Sequence, residues 1–492
     1  MSTVIRGTGR PGAVAGGQGR LRRGAIGALG AAVVSMAFMG PATSVFFNTA
    51  PAAARIGYAL PFGIVLAMVA CLLMANTIAE FSRKLPSAGF AYTFNTRAFG
   101  QRTGFTSGWL LAVAYVAVGP MLFSALGGFG SAFVHTEFTV NIPWWLISLA
   151  LIALVGWIGS RGISRSVKLS VIFLVLEVVV LLGLFATIIG GGGAQGNAVG
   201  PFNPLHSLHG VSGIGYGMLW GILMFVGFES AGTLGEETRD PRRAIPFALF
   251  AAVGLIGVVF VLSGYAAAVG FGASHAGALA GDASPWTTLS NRYWGTDVAW
   301  VVSLTVLNSQ FANVLAGSNA AVRMVFSLGR EGVIHRSLGR TNDAGSPTRA
   351  WVFYLVLSAA ATLAVGFYLG PLNAYNFFGT ILGLGIVVVY LAMNAGLIVF
   401  FARRHRGEFS ALRHGLLPVV ASLLMLLPVY GLVWPVPAWP YNLIPYLILA
   451  WIVAGLAWFS WLSRHRPDTV AAMGRIWGER DTEAAPAAAD PS

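Results

Sequence analysis

An uncharged run from Gly24 to Ala54 carries in its middle the stretch Ala-Phe-Met-Gly-Pro-Ala-Thr-Ser, residues 37–44. The run is longer than the roughly 20 residues that an α-helix needs to cross the hydrocarbon core of a bilayer. Pro41 lacks an amide hydrogen and clashes with the preceding turn, which leaves the carbonyl near Ala37 without its helical partner. The stretch therefore predicts a transmembrane helix that is interrupted halfway across the membrane.

The composition of the whole chain agrees with this prediction. Of the 492 residues, 56% are hydrophobic and 10% are charged, whereas a soluble domain carries roughly 25% charged residues. Cys71 is the only cysteine in the sequence, which excludes intramolecular disulfides and cysteine-rich zinc sites. The chain is predicted to be an all-α integral membrane protein. Stretches with few or no charges give about twelve transmembrane helices, at 24–49, 57–79, 104–134, 138–160, 169–193, 211–235, 244–270, 298–322, 350–370, 374–402, 415–438 and 439–463.

The basic residues are distributed unevenly between the two sides of such a bundle. When the loops are assigned alternately, 28 of the 30 lysines and arginines fall on the side of the N terminus, and only Arg55 and Arg292 fall on the other. Cytoplasmic loops carry such an excess, so we expect a multi-pass protein of the cell membrane with both termini in the cytoplasm. The net charge of +13 is then a topology signal, which makes the lipid bilayer the expected partner and argues against nucleic acid.

A cleaved signal peptide is an alternative interpretation of the N-terminal region. Arginines precede the apolar run, and Ala52-Ala53-Ala54 is similar to a cleavage site. The uncharged run is much longer than the roughly 7–15 residues of a signal-peptide core. A first transmembrane helix is therefore the better interpretation.

A second interruption is predicted in the sixth apolar stretch. Phe225-Val226-Gly227 matches Phe38-Met39-Gly40 at an offset of 187 residues, and Glu229 follows two positions later. A single kink usually serves helix packing, because glycine and proline are frequent in transmembrane helices. Two interruptions at matching positions of two halves instead indicate a transporter, in which the half-helix ends bind substrate and ions.

Two acidic residues lie inside predicted spans. An ionised carboxylate at the centre of a transmembrane helix costs about 2.5–3.5 kcal/mol on insertion scales, so such residues usually have a function. Glu229 is the stronger candidate for proton coupling, and its alternative role is that of a protonated acid hydrogen-bonded to a neighbouring helix. Glu177, in the fifth span, is a second candidate for which the functional and the structural interpretation are about equally supported.

Three groups of residues resemble the amino acid–polyamine–organocation permeases. The sixth span and the loop after it contribute Phe225-x-Gly227-Phe228-Glu229-Ser230 and Glu236-Glu237-x-x-Asp240-Pro241-Arg242-Arg243-Ala244-Ile245-Pro246. The exit of the second span contributes Glu80, Pro86, Gly89 and Tyr92, and the stretch between spans eight and nine contributes Arg323, Arg330-Glu331-Gly332 and Pro347. The resemblance covers nearly the whole chain.

The resemblance implies two inverted repeats of five helices, followed by two further helices. The implied segments are a cytoplasmic tail at 1–23, repeats at 24–193 and 211–402 joined by an external loop at 194–210, peripheral helices at 403–463, and a cytoplasmic tail at 464–492. The substrate would bind between the interrupted spans, at Met39, Gly40, Pro41, Ala42, Thr43, Phe225, Val226, Gly227, Phe228, Glu229 and Ser230. A cytoplasmic gate would include Glu80, Glu236, Glu237, Arg242 and Arg243. No cofactor and no metal is implied.

Two positions depart from the family pattern. Pro41 stands in the middle of Gly40-Pro41-Ala42, where many amino acid carriers have a small, glycine-rich triplet, so one backbone donor to a substrate carboxylate is missing. Glu177 stands at about the place where some relatives carry a lysine that mimics a sodium ion. The lysine mechanism therefore does not transfer to this chain.

The function expected from these observations is secondary active transport. The principal hypothesis is an amino acid permease that works by alternating access and is driven by protons or by exchange. A carrier of amines or polyamines is the alternative, because a cation needs an acid and has no carboxylate to bind. An enzyme is not expected, since the sequence shows no zinc motif, Walker loop or GxSxG elbow.

Overall fold

The computed structural model describes residues 27–85, 90–160, 167–234, 238–342 and 346–472. This part of the chain is built mainly from α-helices, which satisfy their backbone hydrogen bonds internally, as a lipid environment requires. The helices are α1 (Ala28–Met39), α2 (Pro41–Ile56), α3 (Leu60–Lys84), α4 (Phe90–Phe99), α5 (Gln101–Phe138), α6 (Trp144–Ser160), α7 (Val167–Gly190), α8 (Gly210–Phe225), α9 (Ser230–Thr233), α10 (Pro241–Phe271), α11 (Ala276–Gly281), α12 (Pro285–Trp294), α13 (Thr296–Arg330), α14 (Thr348–Leu369), α15 (Pro371–Arg404), α16 (Leu417–Val433), α17 (Ile444–His465) and α18 (Pro467–Ala472).

These helices confirm the predicted fold class. By length and composition, nine helical stretches of the described residues are able to cross a membrane, and the shorter apolar helices α6 and α8 add to them. One of the nine stretches, Ala28–Lys84, contains α1, α2 and α3. Each of the twelve predicted spans corresponds to a helix or to a pair of helices within the described residues.

Several helices end at residues other than the predicted ones. The first span continues through Pro51 to Ile56, and the eighth continues to Arg330. The eleventh span ends at Val433, before the prolines at 435, 437 and 440, which cannot continue a helix. Short helices α4, α11 and α12 lie in segments that the sequence left as loops.

The central helix of the bundle is α5. Its most apolar stretch of 18 residues is 89% buried. The helix packs against α4, α6, α13, α14, α15 and α17. The interrupted helices lie at the same centre, where α2 packs against α8 and α13, and α1 packs against α7, α9 and α10. In contrast, the most apolar stretches of α14 and α17 are only 22% and 17% buried. Their exposed apolar faces are suited to contact with lipid.

The two ends of the bundle differ in charge. At one end, named the basic end here, Lys84 pairs with Glu408 and Arg83 pairs with Glu80. At the opposite end, named the far end, the amide of Leu208 donates to the Ile56 carbonyl at 3.3 Å. Hydrogen bonds of this kind hold the segment 191–209 across the ends of α2 and α10.

Candidate transport site

The first predicted interruption is present at Gly40. Helix α1 ends at Met39, α2 begins at Pro41, and Gly40 between them has φ 53° and ψ 70°. Glycine is the usual residue in this left-handed conformation at a helix end, and proline is favoured at the first position of a helix. The side chain of Asn313 lies so close that a Cβ at position 40 would collide with it. The break is therefore set by the Gly-Pro pair and covered by α13.

Side chains from other helices hold the first amides of α2. The N–H of Ala42 donates to Oε2 of Glu177 in α7 at 3.5 Å, and the N–H of Thr43 donates to Oγ of Ser309 in α13 at 3.1 Å. Glu177 is only 4% exposed. A helix N-terminus carries a partial positive charge that stabilises a nearby carboxylate. The first interruption is thus closed by residues that are distant in sequence.

The second predicted interruption separates Phe225, the end of α8, from Ser230, the start of α9. Gly227 has φ 116°, a conformation that side-chain-bearing residues rarely adopt. The Glu229 side chain folds back, so that its Oε2 accepts the Gly227 N–H at 2.9 Å, while its Oε1 accepts the Tyr115 hydroxyl at 3.0 Å. Glu229 is completely buried. The second interruption is therefore closed largely by its own residue.

The two interruptions are in direct contact. A Cβ added at Gly227 would lie 2.9 Å from the carbonyl carbon of Phe38 and 3.0 Å from the nitrogen of Met39. The hydroxyl of Ser44 donates to the Met39 carbonyl at 2.6 Å and lies 3.4 Å from the Met224 carbonyl. One side chain of α2 thereby contacts the last turn of α1 and the last turn of α8.

Two serines connect α1 to α9. The Ser35 and Ser230 hydroxyls are 3.2 Å apart, and the Ala231 N–H donates to the Ser35 Oγ at 3.1 Å. Ser35 is completely buried. The half-helices on this side of the interruptions are therefore joined to each other as well as to their neighbours.

A cavity of about 450 Å³ lies at the far end. Phe46 and Phe47 of α2 line it, less than two helical turns (~10 Å) beyond the interruption at Gly40. The exposed carboxylate of Glu137 and the Asp282 side chain lie on its wall. The cavity has a size that accommodates a small organic molecule and approaches the interruptions from one side.

The expected gate residues lie partly together at the basic end. Glu80 accepts a hydrogen bond from the Arg83 guanidinium at 2.5 Å and lies 3.3 Å from Nε2 of His414. A second cavity, at the basic end, is lined by Glu80, His414 and Arg242. His414 stacks on the Phe401 ring with centroids 3.6 Å apart. Three helices thus contribute side chains around Glu80, as a gate there would require.

The remaining predicted gate residues are more scattered. Arg243 is exposed and lies 3.7 Å from the carboxylate of Asp240. Glu236 and Glu237 lie outside the described residues. Nearby, a hydrogen bond from Lys84 holds the pKa of the exposed Glu408 carboxyl below its usual value.

Sequence reasoning identified some of these residues and missed others. Tyr92 of the second-span motif donates to Glu331 of the motif between spans eight and nine at 2.9 Å, while Pro86 and Gly89 lie outside the described residues. Ser44, Ser309 and His414 were not predicted. For Ser309 a signal exists, because the polar run Asn308-Ser309-Gln310 interrupts an otherwise apolar span. The binding roles of Met39–Thr43 and Phe225–Ser230 stay predictions.

Comparison with known proteins agrees with this geometry. Residues 26–458 match the family described as amino acid permease. The chain is 26% identical over 389 residues to the branched-chain amino acid permease BcaP of Lactococcus lactis, covering 74% of this chain and 79% of that protein. It is 25% identical to the methylthioribose transporter of Bacillus subtilis, with 70% and 77% covered, and 24% identical to the low-affinity putrescine importer PlaP of Escherichia coli, with 71% and 75% covered. The family match covers most of the chain, including both interrupted helices. The protein therefore belongs to the amino acid permease family and is a multi-pass membrane transporter of the amino acid–polyamine–organocation superfamily.

Proposed function

We propose that this permease carries amino acids across the cytoplasmic membrane by alternating access, with Met39–Thr43 and Phe225–Ser230 as its substrate site. The observation that carries the proposal is the contact of Gly227 with the backbone of Phe38 and Met39. Interrupted helices that meet in this way direct amide and carbonyl dipoles at one place, where they are able to hold the ammonium and carboxylate groups of a zwitterion.

The choice between amino acids and amines depends on the carboxylates. The similarity to the branched-chain amino acid permease supports amino acids. The similarity to the putrescine importer supports amines, and so does the position of Glu177 and Glu229, one at each interruption. Amino acids are the principal proposal, and amines are the second candidate.

The proposed transport cycle uses the two repeats, 24–193 and 211–402. The far-end cavity and the buried contacts between α1 and α9 support a conformation in which the site is approached from the far end. Glu80, Arg242 and Arg243, together with Glu236 and Glu237, are the proposed gate at the opposite end. Proton movement at Glu229 is the proposed driving step, with Glu177 as a second candidate and exchange as the alternative.

The basic end is proposed to face the cytoplasm, because 28 of the 30 basic residues belong to it in the alternating assignment. The native Cys71 is buried and does not compete with a reporter cysteine. Cysteines at Gly196 and Ser284 are expected to react with an impermeant thiol reagent in intact cells, and a cysteine at Arg340 is not. Reaction at position 340 would contradict the proposed topology.

Two matched ligand pairs test the substrate class. Leucine and 3-methylbutylamine differ by a carboxylate, as do ornithine and putrescine. A ligand at 100 times its dissociation constant stabilises the protein by about 2.7 kcal/mol, so thermal unfolding of the purified permease detects binding. If the proposal is correct, leucine, ornithine or another of the common amino acids stabilises the permease and is taken up by proteoliposomes that contain it. Stabilisation by the amines alone would replace it with the second candidate.

A further inference from the structure

The amide that a substrate carboxylate would use at the first interruption is already occupied. Pro41 has no N–H, and the next amide, that of Ala42, donates to the Glu177 carboxyl. The amide after it donates to Ser309, whose hydroxyl also contacts Glu177. The start of α2 therefore holds a carboxylate, and that carboxylate belongs to the protein itself.

Thr43 on the first turn of α2 and Gln310 on α13 carry polar atoms that have no hydrogen-bond partner among the described residues. They are the Oγ1 of Thr43 and both amide atoms of Gln310, the neighbour of Ser309 on α13. Thr43 is 2% exposed and Gln310 is completely buried. Buried polar groups nearly always have a hydrogen-bond partner, so the unpartnered Thr43 hydroxyl supports the binding of a polar ligand group at the start of α2.

We propose that Glu177 is a tethered competitor of the substrate carboxylate. It occupies the Ala42 amide in the described conformation, and a carboxylate-bearing substrate binds at this turn only when Glu177 gives up the contact. Two carboxylates sharing one helix end repel each other, and an amine substrate meets no such obstacle. The inference rests on the proposed substrate site and makes Glu177 the residue that sets the balance between amino acids and amines.

A purely structural role for Glu177 makes a different prediction. A helix cap stabilises α2 whatever the ligand, so its loss would weaken the fold and change the binding of amino acids and amines alike. A competitor acts only on ligands that carry a carboxylate. The ratio of the two dissociation constants within a matched pair therefore separates the two roles.

The experiment measures binding of leucine, 3-methylbutylamine, ornithine and putrescine to the full-length permease and to Glu177→Gln. The variant is expected to shift the ratio of dissociation constants toward the amino acid by about tenfold in each pair that binds. Glu177→Met removes the same charge and places an apolar side chain in the apolar span. It replaces Glu177→Gln if that variant folds poorly, and it is expected to produce the same shift. An unchanged ratio, or a shift toward the amine, overturns the inference.

Two control variants make the result specific. Ser422→Ala removes a hydroxyl-to-carbonyl hydrogen bond within the peripheral helix α16, and Asp468→Asn removes an exposed acid from the short helix α18. Both are expected to leave the ratio within about twofold of the wild type, and an equal shift in Asp468→Asn would also overturn the inference. Wild-type protein that binds neither amino acid nor amine would contradict the proposed function instead. Wild-type protein that binds only amines, with amino acid binding gained in Glu177→Gln, would support this inference while replacing the principal substrate.

Discussion

The two helix interruptions at the centre of this permease are closed in different ways. At the first, the amides of Ala42 and Thr43 are held by Glu177 and Ser309, which belong to other helices. At the second, the Gly227 amide is held by Glu229, only two residues further along the chain. The second interruption is therefore held mainly by a contact within its own span. The first depends on the positions of α7 and α13, so a shift of these helices changes which groups α2 presents.

The neighbours of the two glycines also differ. A Cβ at Gly40 would meet the side chain of Asn313, whereas a Cβ at Gly227 would meet the backbone of Phe38 and Met39. A side chain moves out of the way by changing its rotamer, but the backbone does so only when α1 is displaced. The second interruption is accordingly the less tolerant of the two.

The largest effect is expected from Gly227→Ala. The alanine would have to keep the φ of 116° that Gly227 has, which residues with a side chain rarely adopt. Its Cβ would also lie 2.9 Å from the Phe38 carbonyl carbon. Backbone strain of this kind costs about 1–3 kcal/mol, and displacement of α1 adds to it. We expect lower thermal stability and transport reduced by more than about tenfold.

Gly254→Ala is the matched control for this variant, because a Cβ at that position in α10 meets nothing within 4 Å. It is expected to transport and unfold as the wild type does. Normal transport by Gly227→Ala would show that α1 and α8 do not need to approach so closely.

A large effect on coupling is expected from Glu229→Gln. The amide keeps the shape of the carboxyl and its contact with Tyr115, but it does not titrate. We expect the variant to retain exchange and to lose accumulation driven by a pH gradient. Proteoliposome uptake with and without an imposed gradient measures the difference, with Asp468→Asn, an exposed acid of the short helix α18, as the control.

Two other outcomes would change the interpretation of Glu229. Accumulation that still follows the pH gradient in the Gln variant would remove this residue from the driving step. Loss of binding itself would favour an amine substrate, because the neutral amide no longer balances a cation. The first outcome would leave Glu229 with the structural role of holding the Gly227 amide, and the second would give it a direct role in substrate binding.

How far the sequence predicts these interruptions is shown by its Gly-Pro pairs. Gly40-Pro41 divides a span, Gly119-Pro120 lies inside the continuous helix α5, and Gly370-Pro371 forms the turn between α14 and α15. The dipeptide is the same, so the dipeptide alone does not determine the outcome. The position of the first pair within an uncharged run, and its match with the sixth span, made the interruption predictable.

The closing groups could be predicted only for the second interruption. Glu229 stands two residues after Gly227 in sequence, and a carboxylate inside an apolar span is conspicuous. Glu177 was noticed for the same reason, but its contact with Ala42 joins residues far apart in the chain. The polar run at 308–310 marks Ser309 in sequence without showing what it contacts, and nothing marks His414. Only helix packing places these two residues beside α2 and Glu80. Tertiary contacts of this kind have no local pattern.

A moderate effect is expected from Pro41→Ala, which acts on the interruption closed by other helices. The alanine supplies an N–H that proline lacks and permits backbone angles that proline excludes. We expect the apparent affinity for substrate to change by about three- to tenfold, while the yield of folded protein stays close to that of the wild type. Uptake kinetics and size-exclusion profiles of the two proteins measure these quantities. Normal kinetics in an unstable protein would identify Pro41 as a packing kink.

The smallest effect is expected from Ser44→Ala, because it removes one hydroxyl that contacts both interruptions. A hydrogen bond of this kind contributes about 0.5–1.5 kcal/mol net, so the loss of stability is modest. Ser422→Ala is the matched control, since it removes a 2.8 Å hydroxyl-to-carbonyl bond within the peripheral helix α16. If the Ser44 hydroxyl contributes only to stability, both variants unfold and transport alike. If it couples the last turns of α1 and α8, Ser44→Ala alone lowers the transport rate, by about two- to threefold, at a similar loss of stability. Equal transport by the two variants would show that the interruptions touch without acting on each other through this side chain.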